Sequence, residues 1–352
     1  MSTYIPPRGR GTVSNPHNRF APSRSVAEDD GWYQEVPMTQ GTQVTSETAK
    51  SIITRNSSPD IPFDRSINPY RGCEHGCIYC YARPSHAYWD MSPGLDFETK
   101  LIAKTNAAAV LEQQLSKPGY VCAPITLGAN TDPYQPIERE YKITRAVLQV
   151  LLRYRHPVTI ITKGSLILRD LDLLAELAKQ RLVSVFISLT TLDDELKRIL
   201  EPRAAAPKAR LRAIRVMRDA GIPVGVLCAP MIPMINDMEL ENLLGEAKAA
   251  GALSASYIML RLPLEVAPLF DEWLKVHYPQ RAEHVMSLIR QVRGGEVYDS
   301  RFGVRMRGEG PFADLLAQRY GIAIKRLGLN KREDFTLDCA AFCPPGGQMS
   351  LL

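Results

Sequence analysis

Short apolar runs rich in β-branched residues alternate with amphipathic stretches along much of this chain. The runs predict strands at residues 121–127, 158–164, 183–189, 223–229 and 254–260. The stretches between them have apolar positions at helical spacing, which predicts helices over residues 137–153, 170–180, 207–220 and 237–249. One more short strand is predicted within residues 62–72. Six strands that alternate with helices favour a parallel sheet, and we expect an open or partial (β/α)6 barrel.

The flanking segments have a different pattern. Residues 1–55 are rich in Pro, Arg, Ser, Thr and Asn, which predicts an extended or disordered N-terminal arm. Residues 56–265 form the predicted core, with a further helix over residues 98–115. Residues 266–352 form a C-terminal extension of helical and mixed character. Helices are expected over much of residues 262–292, with a break near Pro279, and over residues 311–320.

Composition and charge place the chain in a broad class. Of its 352 residues, 45% are hydrophobic and 23% are charged, which is typical of soluble globular proteins. No apolar run reaches the ~18 residues of a membrane span, and the first residues lack the apolar core of a signal peptide. We therefore expect a cytoplasmic protein without a membrane partner. The net charge of +5 permits nucleic-acid binding but does not by itself predict it, although Arg8, Arg10, Arg19 and Arg24 of the arm could contact phosphates.

The densest chemical signal is the stretch NPYRGCEHGCIYCYAR at residues 68–83, which holds Cys73, Cys77 and Cys80 in a C-x3-C-x2-C pattern. This spacing cannot place three thiols on one face of a helix or strand, so it predicts a loop around a metal or cluster. Three thiolates are one ligand fewer than a closed zinc site needs, but they suit a four-iron cluster with one iron left open. Gly72 and Gly76 would supply the positive φ angles of such a loop.

These residues resemble the signature of radical S-adenosylmethionine enzymes, a tyrosine before the third cysteine included. The resemblance implies a TIM-like partial barrel of the radical SAM type, with a [4Fe-4S] cluster held by Cys73, Cys77 and Cys80. It also implies S-adenosyl-L-methionine on the fourth iron, and an external electron donor of flavodoxin or ferredoxin type. Reductive cleavage of the cofactor would yield a 5′-deoxyadenosyl radical that abstracts hydrogen from the substrate. The alternative is a zinc site completed by His75 or His86.

Polar residues at the predicted strand ends are the candidate cofactor contacts, because the carboxyl ends of barrel strands carry the chemistry. By the resemblance, Asn130 and Asp132 would accept hydrogen bonds from the cofactor ammonium, although an Asx turn before Pro133 is the common alternative. Lys163 would meet the cofactor carboxylate or a substrate anion, unless it is an ordinary exposed turn residue. Ser188 and Thr190 would contact the ribose or carboxylate, or else cap a neighbouring turn.

Within the superfamily, the chain is most similar to the spore photoproduct lyase branch of DNA-repair photolyase-like proteins. The similarity rests on the cysteine loop and on four further stretches: ANTDPYQPIE at 129–138, ITKG at 161–164, the segment 188–214 and GIPVGVLCAPMIPMIND at 221–237. It implies lyase-like chemistry on a nucleic-acid lesion. The alternatives are a radical enzyme that modifies RNA or protein, and a non-catalytic zinc-binding or nucleic-acid interaction module.

Three further features concern residues beyond the cysteine loop and the strand-end candidates. The lyase resemblance implies a hydrogen-donating cysteine after the second strand, but residues 127–132 contain none. Arg203 and Arg210 follow the fourth strand and could bind a carboxylate bidentately, or lie on solvated helix faces. Cys339 and Cys343 form a separate C-x3-C pair, for which buried thiols are a more common outcome than a second metal site.

Overall fold

The computed structural model describes residues 9–21, 41–331 and 335–345. Its strands are β1 (Gln43–Glu47), β2 (Ile53–Arg55), β3 (Arg65–Ile67), β4 (Tyr70–Arg71), β5 (Lys100–Lys104), β6 (Ile125–Leu127), β7 (Val158–Thr162), β8 (Val183–Ser188), β9 (Val224–Met231) and β10 (Ser254–Met259). Its α-helices are α1 (Asp96–Thr99), α2 (Ala107–Leu115), α3 (Glu138–Tyr141), α4 (Ile143–Arg153), α5 (Leu171–Lys179), α6 (Asp194–Leu200), α7 (Pro207–Asp219), α8 (Leu240–Ala249), α9 (Val266–His277), α10 (Ala282–Gln291), α11 (Val304–Arg307) and α12 (Pro311–Leu327). Short 3-10 helices lie at Arg83–Trp89, Ser165–Asp170 and Asp237–Glu239.

Six strands form the parallel sheet that the apolar runs predicted. Its order is β10-β9-β8-β7-β6-β3, with β2 added antiparallel to β3 at one edge. The strands from β6 to β10 pair in parallel with their successive neighbours, and helices on the outside connect them. Most valine and isoleucine side chains of the parallel strands are buried, as expected for a sheet covered on both faces, whereas Ile161 and Ile258 are partly buried. The predicted partial (β/α)6 barrel is confirmed.

The predicted helix over residues 98–115 is wrong in its first part. Residues 100–104 form β5, which pairs with β1 in parallel and with β4 in antiparallel orientation. The helical spacing of apolar residues in this segment belongs to α2 alone. The strands that pair with β5 lie too far away in sequence to be predicted from a local pattern. The resulting three-stranded sheet, β1-β5-β4, packs beside the barrel mouth and ends next to the cysteine loop.

Other predicted boundaries shift by a few residues. The predicted helix over residues 137–153 is broken at Lys142, which has a φ of 53°. The strand predicted at 121–127 is paired only over β6, whereas the predicted helix at 311–320 continues to Leu327. The break near Pro279 is present, between α9 and α10. Within the described part of the chain, no helix is long and apolar enough to cross a membrane. The division into arm, core and extension remains a prediction.

The open edge of the barrel at β10 is covered by side chains from the C-terminal part of the chain. The amide of Ala255 donates to Asn330 Oδ1 at 2.7 Å, and its carbonyl accepts from the Tyr320 hydroxyl at 2.8 Å. Asn330 Nδ2 also donates to the Tyr320 hydroxyl at 3.1 Å. The two side chains therefore take the place of a neighbouring strand at this residue.

Candidate active site

The cysteine loop lies at the carboxyl end of the parallel strands, where β3 leads into it. Cys73 and Cys77 are buried and Cys80 is partly buried. Gly72 and Gly76 have φ angles of 72° and 65°, as predicted for a tightly folded loop. Turn hydrogen bonds join the Gly76 amide to the Cys73 carbonyl at 3.3 Å, and the Cys80 amide to the Cys77 carbonyl at 3.2 Å. The loop is thus folded compactly with its three cysteines inside it.

Burial is the main influence on the three thiols. It raises the pKa of Cys73 and Cys80, and it raises the pKa of Cys77 to about 12. Across residues 9–21, 41–331 and 335–345, no group of three or more His, Cys, Asp or Glu side chains is placed to hold a metal ion. A zinc site needs four ligands around one ion. Three thiols that each bind a different iron of a cluster need not converge on one point.

A buried ion pair holds the loop from below. The Arg83 guanidinium donates to the Cys77 carbonyl through Nε at 2.9 Å and Nη2 at 2.8 Å. It also donates to the Gly94 carbonyl at 3.0 Å and to Glu98 Oε1 at 2.6 Å. Arg83 and Glu98 are both fully buried. Their pairing fixes the backbone of the middle cysteine.

Glu98 also binds the N-terminal arm. Its carboxylate accepts from the amides of Gly11 at 2.9 Å and Thr12 at 3.0 Å, while Arg10 donates to its carbonyl at 2.9 Å. A Cβ atom on Gly11 would lie 1.7 Å from the carbonyl oxygen of Gly76. The arm therefore runs in direct contact with the cysteine loop, and only glycine fits at residue 11.

The arm arginines within the described residues bind carboxylates or carbonyls of the chain itself. Besides the contact of Arg10, Arg19 forms an ion pair with Glu265 at 2.6 Å. Arg8 and Arg24 lie outside the described residues. The suggestion that these arginines contact phosphates stays a prediction.

Gln135 holds the start of the loop. Its Oε1 accepts from the Glu74 amide at 2.9 Å, and its Nε2 donates to the Gly72 carbonyl at 3.2 Å. These two contacts bracket Cys73. The Glu74 carboxylate in turn pairs with Arg203 at 3.1 Å. The carboxylate that Arg203 binds thus belongs to the loop itself.

A second buried ion pair fixes the end of the loop to β8 and α7. The Tyr79 hydroxyl donates to Glu201, whose other carboxylate oxygen pairs with Arg210. Thr190 Oγ1 lies 2.6 Å from Glu201 Oε1, and Arg210 Nη1 donates to the Ser188 carbonyl at 2.9 Å. Burial alone would raise the pKa of Glu201, but the charges of Arg210 and Lys163 and the hydrogen bonds from Thr190 and Tyr79 together lower the pKa to about 2. Glu201 is therefore an anion at the base of the site.

Asp132 connects the ends of β6 and β7 to the loop. Its Oδ1 accepts from the Tyr134 amide at 2.8 Å, the Asx turn considered above, and from Thr162 Oγ1 at 2.6 Å. Its Oδ2 accepts from the Lys163 amide at 2.7 Å and lies 3.3 Å from His75 Nδ1. Burial opposes ionisation of Asp132, but His75 and these hydrogen bonds lower its pKa to about 2.

The other strand-end candidates differ in their surroundings. Asn130 is exposed, and its amide donates to Asn68 Oδ1 at 2.9 Å. The Lys163 ammonium lies 5.8 Å from the centroid of the Tyr79 ring. Ser188 and Thr190 are buried. The structure thus gathers Asp132, Lys163 and Thr190 around the loop and leaves Asn130 at the rim.

The family model described as "Radical SAM superfamily" matches residues 67–247, and this match decides the classification. The chain belongs to the radical SAM superfamily. An uncharacterized protein of Mycobacterium tuberculosis is 41% identical over 233 residues, which are 66% of this chain and 68% of that protein. An uncharacterized protein of Methanocaldococcus jannaschii is 27% identical over 217 residues, 62% of this chain and 77% of that one.

Solved structures support the same fold for this radical SAM protein. Spore photoproduct lyase complexed with dinucleoside spore photoproduct matches with a TM-score of 0.57 and 14% identity, over 81% of this chain and 79% of that chain. A variant of that lyase with bound AdoMet and the dinucleoside matches with a TM-score of 0.54 and 13% identity, over 81% and 78%. The resemblance to this branch is confirmed at the level of the fold.

Membership in the radical SAM superfamily implies S-adenosylmethionine and a [4Fe-4S] cluster as cofactors, and a source of electrons. The residues at this site fit such a cluster, because three thiols lie in a buried loop folded by two glycines. Sequence reasoning did not identify Arg83, Glu98, Gln135 or Glu201. Their partners lie between 6 and 122 residues away in sequence, and their neighbours in sequence are a mixture of polar and apolar residues, so no local pattern marks them.

The remaining cysteines lie away from the radical SAM loop. Cys228 is fully buried in β9. Cys122 precedes β6 at the opposite end of the strand and contacts Cys339. The Cys343 amide donates to the Tyr154 carbonyl at 3.0 Å. Residues 335–345 therefore pack under the amino ends of the strands, which also places Phe335 against Phe186 with ring centroids 5.2 Å apart.

Proposed function

We propose that this radical SAM protein is an enzyme in which Cys73, Cys77 and Cys80 each bind one iron of a [4Fe-4S] cluster. When bound, the reduced cluster and S-adenosylmethionine supply a 5′-deoxyadenosyl radical that abstracts hydrogen from the substrate. The observation that carries the proposal is the cysteine loop, which is buried, folded by two glycines and placed at the carboxyl end of a parallel barrel.

The chain's own contribution is to hold this loop and to keep water out. Gln135 fixes the backbone on both sides of Cys73, and Arg83, paired with Glu98, fixes the carbonyl of Cys77. Glu201 fixes Tyr79, whose buried ring excludes water beside the third cysteine. Each of these contacts orients a thiol without using a thiol as a hydrogen-bond partner.

We propose five strand-end residues as contacts of the cofactor. Lys163 presents a partly exposed ammonium above the Tyr79 ring, which suits the cofactor carboxylate. Asn130 presents an exposed amide oxygen at the rim, which suits the cofactor ammonium. Asp132, Ser188 and Thr190 complete the proposed set from the ends of β6 and β8.

We propose a nucleic-acid lesion as the substrate, with lyase-like chemistry. Support comes from the fold shared with a lyase complexed with a dinucleoside photoproduct, and from Tyr81, a half-exposed aromatic residue beside the cysteines on which a base could stack. No cysteine occupies residues 127–132. The hydrogen donor that the lyase resemblance implies at that position is therefore missing. The proposed electron donor is a flavodoxin- or ferredoxin-type protein.

The mechanism is tested by anaerobic reconstitution with iron and sulfide, followed by reduction in the presence of S-adenosylmethionine. We expect a brown protein with about four irons per chain and formation of 5′-deoxyadenosine. Cys77→Ala should abolish both, whereas Cys228→Ala, which removes an equally buried thiol from the core, should retain both. A colourless protein with about one zinc per chain, or full activity in Cys77→Ala, would refute the proposal.

The substrate class needs a separate experiment. Binding of the reconstituted protein to damaged DNA, undamaged DNA, RNA and peptides is compared at several salt concentrations. Preferential binding of damaged DNA is the expected result. Preferential binding of RNA or of a peptide would instead assign the protein to the RNA- or protein-modifying radical enzymes.

A further inference from the structure

Arg261 occupies the end of β10, at the same edge of the barrel as the cysteine loop. Its guanidinium carbon lies 5.2 Å from the ring centroid of Tyr81, the residue after the third cysteine. The Tyr81 hydroxyl donates to the Ala129 carbonyl at the end of β6. Arg261 and Tyr81 therefore lie together at the barrel mouth, Arg261 at the end of β10 and Tyr81 at the end of the cysteine loop.

The hydrogen bonds of Arg261 within the protein are few and weak. Its Nη2 donates to the Tyr298 hydroxyl at 3.3 Å, and its Nη1 lies 3.6 Å from Met306 Sδ. Its Nε is buried and has no hydrogen-bond partner among the described residues. No ion pair joins Arg261 to a carboxylate in that part of the chain. A guanidinium has five N–H donors, so most of its capacity is available to a ligand.

A second guanidinium lies behind the first. Arg293 is fully buried and donates to the carbonyls of Leu260 at 2.5 Å and Val304 at 2.8 Å. These bonds use its donors to hold the end of β10, but they do not neutralise its charge. Burial and the nearby charge of Arg261 lower the pKa of Arg293 to about 10. The two residues repel each other at a place with little water.

Three other buried arginines among the described residues each form an ion pair with a carboxylate: Arg65 with Asp64, Arg83 with Glu98, and Arg210 with Glu201. Arg293, which is buried, and Arg261, which is partly buried, form no such ion pair within the described residues. A buried charge without a counterion is costly. An anionic ligand would remove that cost, and the mouth of the barrel is where a ligand enters.

We propose that Arg261 is an oxyanion-binding residue for the substrate, with Arg293 raising the local positive potential. The ligand class is a phosphate or carboxylate group, which the guanidinium fork would bind through two hydrogen bonds. Tyr81 would pack against the part of the substrate that carries this group. The inference rests on the proposed function in one respect, since it takes this edge of the barrel as the substrate entrance.

The test uses the anaerobically reconstituted full chain, with inorganic phosphate and acetate as probes. Binding is measured by calorimetry and by the phosphorus line width, at constant ionic strength set with chloride. We expect phosphate to bind, and Arg261→Gln to weaken it by about 10- to 100-fold, as expected for loss of a charge-assisted pair. Arg215→Gln, on the exposed face of α7, makes the same change in net charge and should bind as the wild type does.

Acetate bound more tightly than phosphate in the same Arg261-dependent way would assign a carboxylate rather than a phosphate to the site. Equal phosphate binding in wild type and Arg261→Gln would overturn the proposal, as would no binding in the wild type. Should Arg261→Gln not fold, Arg261→Lys carries the test, because lysine keeps the charge but not the fork. Unchanged phosphate affinity in Arg261→Lys would then overturn it.

Iron content and 5′-deoxyadenosine formation are measured on the same samples. Loss of phosphate binding with both retained supports the anion site. Wild-type protein that lacks both but still binds phosphate through Arg261 would refute the proposed function and leave the anion site standing.

Discussion

The Arg83–Glu98 pair beneath the cysteine loop gives the sharpest test of how this site is held. Glu98→Gln keeps the shape of the side chain but removes its charge. Arg83 then stays buried without a counterion, and the amides of Gly11 and Thr12 lose a charged acceptor. Removing one partner of a buried pair costs about 3–5 kcal/mol. That cost is a large part of a total stability of about 5–15 kcal/mol.

The assay is urea unfolding of the reconstituted protein under anaerobic conditions, together with iron analysis. Glu98→Gln should unfold at markedly lower urea and bind less iron, because Arg83 positions the Cys77 carbonyl. Asp271→Asn is the matched control. Its partner Lys275 lies at the same 2.6 Å separation, but the two side chains are 34% and 64% exposed. Little change is expected there, because water screens an exposed pair.

The double variant Arg83→Met/Glu98→Gln separates charge burial from shape. With both charges removed, no uncompensated ion is left in the interior, so the double variant should be more stable than the sum of the single losses predicts. The reasoning fails if Glu98→Gln loses less than ~1 kcal/mol, or if the two single losses simply add.

Three further outcomes are expected. Gly11→Ala should lower the iron content per chain, because the new Cβ would lie 1.7 Å from the Gly76 carbonyl oxygen. Gly245→Ala should leave the iron content unchanged, because a Cβ there has no atom within 4 Å. Equal iron content in the two variants would contradict the role of the arm. His156 is buried between the Tyr120 hydroxyl and the Pro157 carbonyl, and burial lowers its pKa to about 4. As the pH falls, the unfolded chain therefore binds the His156 proton before the folded chain does. The folding stability present above pH ~6.5 is lost as the pH falls toward 4, by at most about 3 kcal/mol. Urea unfolding of His156→Phe should show a flatter pH dependence than that of the wild type, and parallel curves would contradict this prediction. Gln135→Ala should reduce iron binding more than Gln180→Ala, which changes a partly buried glutamine just after α5, as measured by iron analysis after reconstitution. Equal iron in the two variants would show that the Gly72 and Glu74 contacts are dispensable.

Local pattern was sufficient for much of this fold. Apolar runs predicted five of the six parallel strands, because a strand buried on both faces has an apolar sequence of its own. The spacing of three cysteines predicted the loop, and two glycines predicted its turns. Pattern failed at β5, whose partners are β1, more than 50 residues earlier, and β4. The hydrogen-bond partners of β5 are distant in sequence. The spacing of its own apolar residues does not distinguish it from the helix α2 that follows.

The site was predictable only in part for the same reason. The cysteines carry their chemistry in the residue type, so they could be named from sequence. Glu98 and Glu201 are acidic residues like any others until the fold buries them against Arg83 and Arg210, 15 and 9 residues away. Asp132 was identified by its position after a strand, but which donors it meets depended on how β6 and β7 align.

The covered edge of β10 has a consequence for the order in which the chain matures. The Ala255 amide cannot form its hydrogen bond until Asn330, 75 residues later in the chain, has been synthesised. At ~5–20 residues per second, this interval is about 4 to 15 seconds of synthesis. During that time all six strands have been synthesised, whereas the residues that cover the edge at Ala255 have not all been. The interval ends once α12 and Asn330 have been synthesised, so the edge of β10 can be covered only at the end of synthesis.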